Sequence, residues 1–201
     1  AARALAATGW RLEELDLGYN IRLGAAGLAA LAAAPTFAPW RLNLVDCNLD
    51  VAALLTIAHA PWPLEDLDLA YNDFSEDVAG PALAALSRHV GLRRLRLECS
   101  ELAPADFREF VEAGFPALEE LDLSRNNVGA AGAALLASRP WLRLRELDLC
   151  DSQLGDAGVA ALARGEFPAL ERLNLRSNRC RTPLTLEEAR RWAPALVVLH
   201  L

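Results

Sequence analysis

The sequence predicts an α/β solenoid, one array made by stacking a short unit on copies of itself, and three observations carry that prediction. The first is spacing: stretches of the form L-x-x-L-x-L open at Leu12, Leu64, Leu92, Leu118, Leu144, Leu170 and Leu196, with Pro39 taking the remaining turn. The successive intervals are 27, 25, 28, 26, 26, 26 and 26 residues, a period that belongs to repeat architectures. The second is a change of period inside each unit, from the alternation of a half-buried strand to the spacing of a helix. The third is composition, with 53% apolar residues among 201, enough for a continuous core. No apolar run approaches the eighteen or so residues that a membrane span needs.

Along the chain, residues 1–9 read as the tail of a unit whose strand is absent, and Leu15 and Leu17 form the first strand. Ala29 to Ala34 form a helix of small residues, which suits close packing. Trp10, Trp40, Trp62 and Trp141 all fall where a helix returns to the sheet, and that recurrence predicts wedges in the solenoid wall. Ser75 to Ser87 lacks the paired glycines of its neighbours. Leu102 to Gly114, with Pro104, Phe107, Phe110 and Val111, is a bulkier helix. The clearest unit, Leu118 to Trp141, alternates at Leu121, Asp122, Leu123 and Ser124, turns at Asn126 and Asn127, passes Gly129 and Gly132, and enters a helix over Ala133 to Ala137 that Pro140 closes. Ala157 to Ala163 repeats that helix. In the last unit Thr182 to Arg191 replaces the glycine turn, with Thr185 and Glu188 at capping-box spacing and Trp192 expected to be exposed. Leu196 to Leu201 is a final strand.

The pattern L-x-x-L-x-L-x-x-[N/C/S]-x-[L/V/F] followed by G-x-x-G-x-x-A-L-A resembles the leucine-rich repeats of the ribonuclease-inhibitor type. Its best examples are the runs beginning at Leu15, Leu121 and Leu147, and the resemblance covers nearly the whole chain. It implies a horseshoe with parallel strands on the concave face and helices on the convex face. Physical spacing agrees, since strands pack about 4.8 Å apart and helices roughly 8–10 Å apart, so joined layers bend with the strands inside. It also implies that Asn20, Cys47, Asn72, Ser100, Asn126, Ser152 and Asn178 form a ladder that satisfies the buried turn backbone. One domain, 1–201, is expected, with about seven repeats and partial end repeats; both ends read as cuts from a longer array and as sites for end-to-end self-association.

Several function classes are excluded on residue chemistry. The net charge of −7 opposes the phosphate neutralisation on which nucleic-acid binding depends, and opposes anionic lipid. All 20 basic residues are arginine, so there is no P-loop or Schiff-base lysine. No catalytic motif occurs, and His59, His89 and His200 lie in separate repeats. The glycine pairs at Gly24/Gly27, Gly129/Gly132 and Gly155/Gly158 keep the register of the repeat and are structural rather than a phosphate loop. Cys47, Cys99, Cys150 and Cys180 stand in different repeats without C-x-x-C pairs, which predicts reduced structural thiols, no metal and a cytoplasmic or similar reducing setting, ciliary and nuclear locations included. No cofactor is expected.

What remains is a surface. The register places Asp16, Tyr19, Asp68, Tyr71, Arg94, Arg96, Asp122, Arg125, Asp148, Arg172 and Arg176 on the concave side, expected to contact a protein partner. Asp16, Asp68, Asp122 and Asp148 share one column, and Arg96 interrupts it. Acidic pairs such as Glu13/Glu14 and Glu119/Glu120 form a solvated face with no pocket to shift their pKa values. The expected function is a non-catalytic scaffold for protein–protein interaction. Regulation of a small GTPase, and the recognition part of a ubiquitin ligase or immune sensor, are the alternatives.

Overall fold

A computed structural model describes residues 2–75, 78–182 and 184–201. Eight three-residue strands run through it: β1 (Glu14–Asp16), β2 (Arg41–Asn43), β3 (Asp66–Asp68), β4 (Arg94–Arg96), β5 (Glu120–Asp122), β6 (Glu146–Asp148), β7 (Arg172–Asn174) and β8 (Val198–His200). They form one parallel sheet in strict sequence order. Its central row is leucine throughout, Leu15, Leu42, Leu67, Leu95, Leu121, Leu147, Leu173 and Leu199 lying in register. From β2 to β7 that row is buried. Its flanking residues alternate to the other face, as a two-residue period requires.

Helices α1 (Ala2–Ala6), α2 (Gly24–Ala32), α3 (Val51–His59), α4 (Gly80–Ala85), α5 (Phe107–Ala113), α6 (Gly129–Leu136), α7 (Gly155–Leu162) and α8 (Leu186–Ala189) form the second layer. From α1 to α7 each packs on its neighbour in sequence. Strands on the inside and helices on the outside make the α/β leucine-rich solenoid that the period predicts. The helices begin earlier than the alanine runs suggest. Gly129 and Gly155 take φ of 58° and 56°, where a side chain is strained, and their N–H groups donate to the carbonyls of Ser152 and Asn178 in the following repeat. Each glycine therefore starts its helix and ties it to the next turn.

The ladder is present and has a finer structure than a single column. Asn72 accepts on Oδ1 from the N–H groups of Cys47 (3.1 Å) and Leu49 (2.9 Å), and its Nδ2 donates to the carbonyls of Leu44 and Leu69. Asn126 does the same for Ser100 and Leu102, and Asn178 for Ser152 and Leu154. Between them, the Cys47 Sγ and the Ser100 and Ser152 Oγ atoms donate back to the carbonyls of Leu17, Leu69 and Leu123. Asparagine reaches two N–H groups of the preceding repeat, whereas the shorter side chains reach one carbonyl of that repeat and one of their own turn. The structural unit is thus a pair of repeats.

Where the paired glycines are missing, another device replaces them. The carboxylate of Asp106, 8% exposed, accepts on Oδ1 from the N–H groups of Ala79 and Gly80 at the start of α4, and on Oδ2 from Ala103. One buried side chain caps the helix of the preceding repeat and its own turn together. The bulkier Leu102–Gly114 segment resolves into a 3-10 turn at Pro104–Asp106 followed by α5. The Thr185/Glu188 capping box forms at α8.

The tryptophans divide. Trp62 and Trp141 are buried in the wall, Trp62 edge-on to Phe37 at 5.1 Å. Trp10 departs from the expected wedge and is 61% exposed. Trp192 is half-buried rather than exposed, with its ring 5.9 Å from Phe167. Buried His89 fills a packing role, its ring nitrogens 3.0 Å and 2.9 Å from the carbonyl oxygens of Trp62 and Ile57.

Candidate functional site

The sheet face gathers the predicted residues into rows, because parallel pairing in register sets equivalent positions side by side. Asp66 lies opposite Arg94 and Asp68 opposite Arg96; Glu120 faces Glu146, and Asp122 faces Asp148. Like charges opposite one another repel, so each row has to be relieved sideways. Arg96 reaches Glu120 at 3.4 Å, Arg172 reaches Glu146 at 3.2 Å, and the Asn174 Nδ2 donates to Asp148 at 2.9 Å. Arg41, Arg93, Arg125 and Arg145 also pair with carboxylates of neighbouring repeats. Arg176 is exposed and joins no ion pair among the described residues.

Two predicted groups prove to have structural work. The aspartate column closes turns: Oδ1 of Asp16, Asp68, Asp122 and Asp148 accepts from the N–H two residues on, at Gly18, Ala70, Ser124 and Cys150. Asn43 and Asn174 do the same. These are Asx turns, and they explain the column without a partner. Arg94 and Arg96, for their part, converge on Asp66, which is 3% exposed. Its Oδ2 accepts from the Arg94 Nε at 2.9 Å and its Oδ1 from the Arg96 Nη1 at 3.1 Å, with the Arg41 Nε at 3.5 Å. Alternation places Asp66 on the solvent side of the sheet beside Asp68 and Tyr71; only the arginines on both neighbouring strands signal that it is buried.

The face is also less uniformly solvated than expected. Burial pushes the Asp68 carboxyl above its ordinary value, against a hydrogen bond from Ala70 and the attraction of Arg96. Asp122 is pushed up the same way by burial, with Asp148 and Glu98 adding to it and Ser124 opposing. On the rim, the Tyr71 hydroxyl donates to Glu98 at 2.8 Å and accepts from the Arg125 Nη1 at 2.9 Å. That bond to Glu98 raises the Tyr71 pKa. Tyr19, Tyr71 and Arg125 occupy the turn position with φ of 63°, 58° and 56°. Tyr19 is 76% exposed.

The four cysteines are free, and burial raises the pKa of each, which disfavours the reactive thiolate. Among the described residues no group of His, Cys, Asp and Glu is placed to hold a metal ion, and no helix is long and apolar enough to cross a membrane. One depression on the sheet face, about 160 Å³, lies over β6 to β8 between Asp148, Arg172, Asn174 and His200. That is below the roughly 300–1,000 Å³ of a small-molecule pocket.

A family model described as "Leucine Rich repeat" matches residues 12–32, 116–137 and 144–163. The ribonuclease inhibitor of Sus scrofa is 35% identical over 136 residues, covering 62% of this chain and 29% of that protein. The chain therefore spans under a third of this curated relative. Among solved structures, an internalin of Listeria monocytogenes aligns with a TM-score of 0.57 and 16% identity, over 98% of this chain and 53% of its own. TLR13, solved in a complex with single-stranded RNA, aligns with a TM-score of 0.57 and 20% identity, over 100% of this chain and 30% of its own. At those identities the two structures share the fold.

Proposed function

We propose that this chain, an array of leucine-rich repeats of the ribonuclease-inhibitor type, is a non-catalytic scaffold that binds a protein partner across its sheet face. The observation that carries the reading is a face of eight parallel strands, continuous and charged, whose depression over β6 to β8 is smaller than a ligand pocket. The relative named as a ribonuclease inhibitor supports a protein as the bound partner. Single-stranded RNA, seen in the TLR13 complex, is disfavoured here by the net charge of −7. Four free cysteines in separate repeats suit a reducing compartment such as the cytoplasm.

Arg94 and Arg96 are poor reporters of binding, because they neutralise buried Asp66. Tyr19, Arg125 and Arg176 are exposed and suit the purpose, as arginine and tyrosine are enriched among residues that dominate interfaces. The test is affinity capture with the chain as bait, beside a Tyr19→Ala/Arg125→Ala/Arg176→Ala variant and a helix-side Arg164→Ala/Glu187→Ala control. The face variant is expected to lose its partner with an unchanged melting temperature, and the control to keep it. Equal capture by all three baits would remove the sheet face from consideration.

A further inference from the structure

A second surface lies on the edge where helices return to the sheet. Between the connection that follows α5 and the one that follows α6 is an open groove of about 400 Å³, large enough for one bulky side chain and its neighbours. Its floor is Val111, Phe115, Leu118 and Trp141, each buried by more than nine-tenths. That floor is rigid: Phe110 stacks at 4.7 Å on Phe115 and 6.2 Å on Trp141, and the Trp141 Nε1 donates to the Leu136 carbonyl at 2.8 Å. Above it Gly114 has nothing within 4 Å of where a Cβ would stand, and Leu142 on the lip is 67% exposed.

The polar part of the lining is two arginines, Arg139 and Arg143. Seven arginines of the chain, Arg41, Arg93, Arg94, Arg96, Arg125, Arg145 and Arg172, hold carboxylates. Arg139 instead spends one N–H on the backbone carbonyl of Glu112, which holds it at the rim. Among the described residues neither Arg139 nor Arg143 makes an ion pair. Two unneutralised guanidinium groups beside a preformed apolar floor, on a molecule of net charge −7, select a particular ligand chemistry.

We propose that this groove docks a peptide segment of a protein partner in which an acidic side chain neighbours a bulky apolar one. The apolar side chain lies on Phe115 and Trp141, and the carboxylate takes charge-assisted hydrogen bonds from Arg139 and Arg143. The inference rests on the groove alone and is independent of the sheet-face reading. The net charge of −7 makes the test stringent, since a site for an acidic peptide has to overcome the repulsion of the molecule as a whole.

The experiment is a heteronuclear NMR titration that follows the Trp141 indole N–H and the Gly114 amide. The probes are three capped tetrapeptides, Ac-Glu-Leu-Leu-Glu-NH2, Ac-Gln-Leu-Leu-Gln-NH2 and Ac-Lys-Leu-Leu-Lys-NH2. At millimolar concentrations the acidic peptide is expected to give saturable shifts at both signals. The glutamine peptide is expected to bind about tenfold more weakly, and the lysine peptide to leave both signals in place. Arg139→Gln/Arg143→Gln is expected to weaken the acidic peptide by about tenfold with the remaining spectrum unchanged. If that double variant loses its native spectrum, Arg143→Gln alone, at an exposed residue, carries the comparison. No saturable shift with the acidic peptide, equal shifts with all three, or undiminished binding by the arginine variants would each overturn the proposal.

Discussion

Single carboxylates on the sheet face divide into those that hold the fold and those that burden it, and the difference is testable. Asp66 is buried and balanced by Arg41, Arg94 and Arg96. Reversing Arg94 and Arg96 to glutamate would gather like charges around a carboxylate that water does not reach. A loss of at least about 2 kcal/mol in urea unfolding is expected, below the roughly 3–5 kcal/mol for breaking a fully buried pair because both arginines keep contact with water. A double reversal that unfolds like the wild type would mean that Asp66 is better solvated than its burial indicates. Asp122 is the opposite case. Burial raises its pKa above the ordinary 3.8, so the folded state holds its proton more tightly than the unfolded state, and ionisation at neutral pH weakens the fold. Asp122→Asn keeps the Oδ1 that accepts from Ser124 and removes the charge. It is expected to raise the melting temperature at pH 7, with the gain shrinking as pH falls through the raised pKa and vanishing below 3.8. A gain that persisted unchanged into acid would assign the effect to packing.

At the level of elements, the repeat is held by side chains that reach across to the neighbouring repeat, and Asp106 is the sharpest instance. Asp106→Ala would strip three N–H groups, those of Ala79, Gly80 and Ala103, of their acceptor inside the protein. A cost of about 2–4 kcal/mol is expected from urea unfolding, as unsatisfied buried donors cost about 1–3 kcal/mol each and part of the loss is recovered by water. A loss under about 0.5 kcal/mol would show that α4 needs no cap from the next repeat. Such a contact was beyond the sequence reading. The leucine spacing made the strands, their parallel order and the alternation of layers legible, because a stacked repeat has one way to bury its apolar stripe. The segment from Ser75 to Ser87 showed only that its paired glycines were missing, and no local pattern pointed to a residue 27 positions on. The alternation of asparagine with cysteine or serine was visible at Asn20, Cys47, Asn72, Ser100, Asn126, Ser152 and Asn178, and the reading as one equivalent column passed over it. The face was legible as a set of positions, whereas the division between structural and available charges was not. Asp16 and Asp148, read from the sequence as contacts, also close Asx turns to Gly18 and Cys150.

Across the whole molecule, four stabilising devices span one interval of the array: the leucine row, the asparagine ladder, the Asp106 cap and the arginine–carboxylate pairs all join neighbouring repeats. Stability should therefore be close to a sum of repeat terms and nearest-neighbour terms, so that the place of a defect matters as much as its chemistry. Asn126 and Asn178 make equivalent bonds, each accepting from two N–H groups of the preceding repeat and donating to one of its carbonyls. Replacing either by alanine removes the same contacts at about the same local cost. Asn126 sits at the middle of the array, where losing the coupling between the repeats of β4 and β5 uncouples one half from the other. Asn178 sits toward one end, where the same loss frees only the repeats of β7 and β8. Native-state hydrogen exchange reads the difference directly. In Asn178→Ala, protection should fall over roughly residues 149–201 and stay near wild type across β2 to β5. In Asn126→Ala it should fall throughout, and the urea transition should broaden as the halves separate. If Asn178→Ala lowered protection equally in every strand, the array would be unfolding as one cooperative body, and the sheet face would have to be treated as a rigid unit that a partner meets whole.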